Sequence, residues 1–156
     1  RRVAIEALFV GYMGTLLYVV FSQLPVRPDD TRFVWASVNL VPLRTVVGIV
    51  RDFPTLVIQQ VLGNVVMFVP LGCLLPLLVA RCRRFAMTAA VGLSVSVGIE
   101  LVQLSLRLTL MSRRSVDVDD VILNVTGACL GYLVWRGSHA LARTYGQRPG
   151  ALKDAP

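Results

Sequence analysis

The stretch "RRSVDVDDVILNVTGACLGYLVW", residues 113–135, joins a dense charged cluster to a run that belongs in lipid. Two arginines and three aspartates stand directly before "VILNVTGACLGYLVW" (121–135). Two physical accounts compete for so much charge at the mouth of an apolar helix. Acids in a first helical turn satisfy orphan N–H groups and suit the positive end of the macrodipole, which explains Asp117 or Asp119. Acids turned toward neighbouring spans instead build a shared polar cluster inside a bundle.

The rest of the chain decides that there are neighbouring spans. Of 156 residues, 55% are hydrophobic and 16% charged, where a soluble domain carries about a quarter charged residues. Mean hydropathy is +0.68. Crossing the hydrocarbon core takes about 20 apolar residues. Val3–Phe21, Val61–Ala80, Phe85–Leu106 and Val118–Trp135 qualify or nearly do. The expected fold is all-α: a polytopic membrane protein with four transmembrane helices and a long extracytoplasmic loop, Ser22–Gln60, between helices 1 and 2. The transmembrane domain is expected over residues 3–136, with a cytoplasmic, disordered tail over 137–156. The first run has a basic flank but lacks a small-x-small cleavage site, so it reads as a retained span, not a signal peptide.

The net charge of +7 fits this topology better than it fits nucleic acid, because no basic stripe is interleaved with aromatics. Arg1 and Arg2, then Arg81, Arg83 and Arg84, then Arg136, Arg143, Arg148 and Lys153 flank the spans on what four crossings make one side. The positive-inside rule assigns that side, with both termini, to the cytoplasm. The segment Arg107–Asp117 also carries arginines and is the misfit in this arrangement. Cys73, Cys82 and Cys129 match no zinc or redox spacing and read as small apolar filler. His139 lies in "RGSHALAR", on the side opposite the acids, and reads as a solvated residue.

This topology brings the awkward polar residues to one depth. Asn64 stands near the outer end of span two, Glu100 and Gln103 near that of span three, and Asp117, Asp120 and Asn124 at the start of span four. At about 100° per residue, Asp117, Asp120, Asn124, Gly127 and Gly131 share an arc of roughly 80°, while Asp119 points elsewhere. Gly92, Ser96, Glu100 and Gln103 likewise share one face of span three. Carboxylates facing lipid cost about 2.5–3.5 kcal/mol at a helix centre, so these faces are expected to meet inside the bundle. A buried Glu100 calls for an arginine, Arg113 or Arg114, or a proton. Gly127 and Gly131 read as a packing seam. Pro70 and Pro76 leave the carbonyls of Val66 and Gly72 without a helical donor, so a kinked span two is expected, with partners from neighbouring helices or water.

In sequence order, "NLVPL" (39–43), "GNVVMFVPLG" (63–72), "GIELVQ" (98–103) and "RSVDVDDVILNVTGACLGY" (114–132) resemble the VanZ-like family of small bacterial membrane proteins. The loop before Arg114 lacks the glycine the family often carries there, which leaves Arg113 and Arg114 both open as the matching arginine. The resemblance implies a cell-envelope role and, through the family's name, a link to teicoplanin-type glycopeptide resistance; it supplies no mechanism.

Three functions fit these residues. In the first, Asn64, Glu100, Gln103, Arg114, Asp117, Asp120 and Asn124 line an outward-facing pocket for a lipid-linked cell-wall precursor or a lipoglycopeptide, with Arg114 gripping phosphate or carboxylate. In the second, the chain is a membrane-embedded enzyme acting on a lipid phosphate. Glu100 and Asp120 would be its base and acid, or Asp117, Asp120 and Asn124 would hold a divalent cation. No nucleophile with a paired base is visible, so the non-enzymatic reading is preferred, with no cofactor and no resident metal. In the third it is a small carrier, for which four spans without an inverted repeat are few. Expected partners are the bilayer, the amphiphilic ligand and a second copy of the chain. The Ser22–Gln60 loop, apolar around Trp35, is expected to lie in the interface and lid the pocket, with Asn39 and Arg44 contributing.

Overall fold

The computed structural model describes residues 2–22, 38–110 and 116–146. Four helices are long and apolar enough to cross a membrane: Arg2–Ser22, Val57–Leu78, Phe85–Leu106 and Val118–Thr144. The expected four-span helical fold is therefore present. In chain order the elements are α1 (Arg2–Ser22), β1 (Val38–Asn39), α2 (Arg44–Asp52), α3 (Gly63–Leu78), α4 (Phe85–Leu110), β2 (Val116–Asp117) and α5 (Val118–Gly146). A short 3₁₀ turn, Pro54–Leu56, and a π-helical stretch, Val57–Leu62, lead into α3. The second span thus begins several residues before the expected Val61.

Apolar residues surround each span instead of forming one stripe, so burial is decided by neighbours and the remaining faces meet lipid. Val10, Val66 and Leu133 are 70%, 63% and 54% exposed. Leu16 and Val20 of α1 join Phe68, Leu71 and Leu75 of α3, Ile99 of α4 and Ala128 of α5 in one core.

The tightest packing is between α3 and α5. A Cβ added to Gly127 would lie 2.1 Å from the Val65 carbonyl oxygen, one on Gly131 2.0 Å from that of Val69, and one on Gly72 1.9 Å from that of Ala128. Only hydrogen fits at these three places, so the backbones themselves are in contact, as close membrane helix pairs require. The Cys73 thiol adds a hydrogen bond to the Gly131 carbonyl at 3.1 Å. Because Val65 meets Gly127 and Val69 meets Gly131, α3 and α5 run parallel. On the other side of α5, Ser96 meets Asn124 and Gly92 meets Ala128, so α4 is antiparallel.

α3 continues as a helix through Pro70 and Pro76. The Tyr12 hydroxyl of α1 donates to the Met67 carbonyl at 2.8 Å, next to the Val66 carbonyl that Pro70 deprives of a donor. The turn into α4, Ala80–Arg83, is pinned by two hydroxyls. Thr88 donates to the Cys82 carbonyl at 2.7 Å and Tyr132 to the Arg83 carbonyl at 2.9 Å.

Two expectations change. α5 runs on to Gly146, so the first part of the expected disordered tail is helical; residues 147–156 lie outside the described residues. The segment between the first two spans holds α2 and a two-residue parallel ladder, Val38 with Val116 and Asn39 with Asp117, so it is not a plain loop. Trp35 lies outside the described residues.

Candidate functional site

Parallel α3 and α5 with antiparallel α4 bring the first turns of α3 and α5 and the last turns of α4 to one end of the bundle. Asp117 immediately precedes α5, and its Oδ1 accepts from the Asp119 N–H at 2.9 Å, the geometry of an N-cap. The same oxygen accepts from Asn39 Nδ2 at 3.0 Å. The backbone N–H of Asp117 donates to Glu100 Oε2 at 3.3 Å. Asp120 Oδ1 accepts from Asn64 Nδ2 of α3. One turn deeper, Asn124 Nδ2 donates to Ser96 Oγ at 2.9 Å. Hydrogen bonds thus pair Asn64 with Asp120, Glu100 with Asp117 and Asn124 with Ser96.

Asp119 departs from expectation. It lies off the arc of Asp117 and Asp120, yet it is 1% exposed, the most buried acid among the described residues. Its partners are backbone groups of the preceding polar segment. Oδ1 accepts from the Leu43 N–H, and Oδ2 accepts from the N–H groups of Thr45 and Val46 at 2.9 and 3.0 Å. Helix α2 begins at Arg44 with Leu43 in the capping position and no side-chain cap of its own. Asp119 therefore caps α2 from another helix, satisfying orphan donors that Leu43 cannot.

The turn that presents those donors is encoded in "NLVPL". Asn39 Oδ1 accepts from the Val41 N–H at 3.1 Å, an Asx turn. The Arg44 N–H bonds back to the Val41 carbonyl at 3.3 Å. Between them stand Pro42 and Leu43, the latter at φ 64°, ψ 1°. This is type II turn chemistry, with proline preceding a left-handed residue, except that leucine occupies the place glycine favours. Asn39 Nδ2 also reaches Thr45 Oγ1 at 3.0 Å. Arg44 makes no ion pair among the described residues; its contribution is backbone.

Glu100 and Gln103 are 6% and 3% exposed, and Asn124 is 5% exposed. The Asn124 side-chain oxygen makes no hydrogen bond among the described residues. Among the described residues no three His, Cys, Asp or Glu side chains are grouped to hold a metal ion. Arg113 and Arg114, the expected partners of Glu100, lie outside the described residues. Sequence reasoning missed the Asp119 clasp and the role of Thr45. The signal available for both was a short helix that follows Pro42 without a capping side chain.

These features define a class: a four-span helical membrane protein whose carboxylates and amides gather at one end, under a segment clasped to the last span. Within that class the family is settled by sequence. The VanZ/LLP1 family model matches residues 9–142, and the chain belongs to that family. No curated protein and no solved structure matches it.

Proposed function

We propose that the carboxylate–amide end of this VanZ/LLP1-family protein faces outward and recognises the polar part of an amphiphilic envelope ligand. That ligand is a lipid-linked cell-wall precursor or a lipoglycopeptide of the teicoplanin type. The observation carrying the reading is the buried side-chain oxygen of Asn124, which has no hydrogen-bond partner among the described residues, beside the buried Gln103 on the facing helix. A buried amide left unpaired costs about 1–3 kcal/mol, and a ligand that pairs it recovers that cost. Glu100 and Asp120 stand at the same end as acceptors, and Arg114, four residues before α5 in the sequence, is the proposed cation. Asp117 and Asp119 are committed to the N-cap of α5 and the clasp on α2, so they act by holding the site together. The distribution of arginines supports the outward orientation, with both termini in the cytoplasm of a bacterial membrane.

The test is titration of purified full chain with teicoplanin and with its deacylated counterpart. The acylated compound is expected to bind more tightly, and Gln103→Ala and Arg114→Gln are expected to weaken it by about tenfold each, one contact's worth. Unchanged affinity in both variants, with unchanged thermal stability, would overturn the reading. Turnover of a lipid-phosphate substrate that disappears in Glu100→Gln would favour the enzyme instead.

A further inference from the structure

The opposite end of the bundle carries a second, chemically inverse site. A cleft of about 290 Å³ opens there, lined by Arg83 from the turn before α4 and by Tyr132, Trp135, Arg136, His139 and Arg143 of α5. Its polar groups are donors almost throughout. The three guanidiniums make no ion pair among the described residues, whose salt bridges join only Arg2 with Glu6 and Arg51 with Asp52. The Trp135 indole N–H is buried and has no acceptor among the described residues. The Tyr132 hydroxyl is already spent on the Arg83 carbonyl. Among the described residues no acid competes: the carboxylate at this end, Glu6, is held by Arg2 at 3.0 Å. The ring faces are ordered as well. Phe85 meets Tyr132 edge-on, Tyr132 packs against Trp135, and Trp135 stacks on His139 with centroids 5.3 Å apart.

Depth identifies what would fill such a cleft. From Val118 to Trp135 a helix rises about 27 Å, close to the roughly 30 Å thickness of the hydrocarbon core. Trp135 therefore stands at head-group level, where tryptophan and tyrosine collect. Lipid-facing Leu133 and Val134 adjoin it. We propose that this cleft binds the phosphate of an anionic phospholipid, with Arg136 and Arg143 as the principal cations, Arg83 as the third, and the acyl chains lying along α5. The site is independent of the carboxylate–amide end and stands whether or not that end binds a ligand.

The full chain carrying Trp35→Phe has Trp135 as its one tryptophan and reports on the cleft directly. In neutral detergent at fixed pH it is titrated with dioleoyl phosphatidylglycerol, dioleoyl phosphatidylcholine and inorganic phosphate. Phosphatidylglycerol is expected to shift the emission saturably, and phosphatidylcholine to leave it unchanged. Arg136→Gln with Arg143→Gln should weaken phosphatidylglycerol by about thirtyfold, the effect of two basic contacts at an anionic surface. Arg81→Gln with Arg84→Gln, which removes equal charge from a neighbouring cleft, should leave it near the parent value. Equal responses to the two lipids would overturn the proposal, as would equal losses in the two double variants, the mark of diffuse attraction. Inorganic phosphate matching phosphatidylglycerol at equal concentration would overturn the assignment to lipid.

Discussion

Removing the Asp119 carboxylate leaves three backbone N–H groups at the start of α2 without their acceptor. Each was a charge-assisted bond, so Asp119→Ala is expected to cost about 2–4 kcal/mol. Trypsin should then cut faster at Arg44 and Arg51, which the clasp holds in a folded helix. Asp117→Ala removes the N-cap of α5 and is expected to cost about 1 kcal/mol, with thermal denaturation in detergent ranking the two. Cys82 is expected to behave as packing. It is 2% exposed, and burial pushes its thiol up from the usual range, so the reactive thiolate is scarce at neutral pH. With Cys73 and Cys129 changed to serine, Cys82 should resist maleimide until the protein is unfolded in dodecyl sulfate. The sign of its linkage follows: stability is full below the unfolded thiol's pKa and falls as pH rises through the raised folded value. At this scale helical phase and depth bring Asn64, Glu100, Asp117, Asp120 and Asn124 to one end, but they do not name the partners: the Asn64–Asp120, Glu100–Asp117 and Asn124–Ser96 hydrogen bonds come from the structure. The role of Asp119 was not legible, because phase locates side-chain faces, whereas its partners are peptide groups that leave no trace in residue type.

Among the elements, α3 and α5 form the pair on which the others rest. Gly131→Ala places a methyl carbon where the Val69 carbonyl oxygen stands, so the helices must separate. Overpacking of this kind costs about 1–3 kcal/mol. Gly137→Ala lies on the same helix with open space around it and should be neutral, or gain about 0.5–1 kcal/mol from lost glycine entropy. A thermal-shift comparison of the two variants separates contact from propensity. The seam was readable from the spacing of Gly127 and Gly131, and the spans from length and hydropathy. The extension of α5 to Gly146 was not. Past Trp135 the residues turn polar, which reads equally as an exposed helix or a tail. Helix α2 was hidden for a related reason: "RTVVGIVRD" is short, and what closes it as a helix comes from a distant acid.

At the scale of the molecule, four crossings put the N-terminus and the end of α5 on the same side. Alkaline phosphatase fused after Ser22 is expected to be active, and the same reporter fused after Gly146 inactive. The reverse pattern would invert the arginine-based orientation and turn the carboxylate–amide end toward the cytoplasm. The two ends differ in construction as well as charge, one clasped by acids and the other open and rich in unmatched donors. The clasp also sets an order of assembly. Asp119 stands 76 positions after Leu43 along the chain, in the fourth of the four spans. The turn encoded by "NLVPL" therefore waits, uncapped, through synthesis of two intervening spans, and the carboxylate–amide end is finished only once the fourth span has been made.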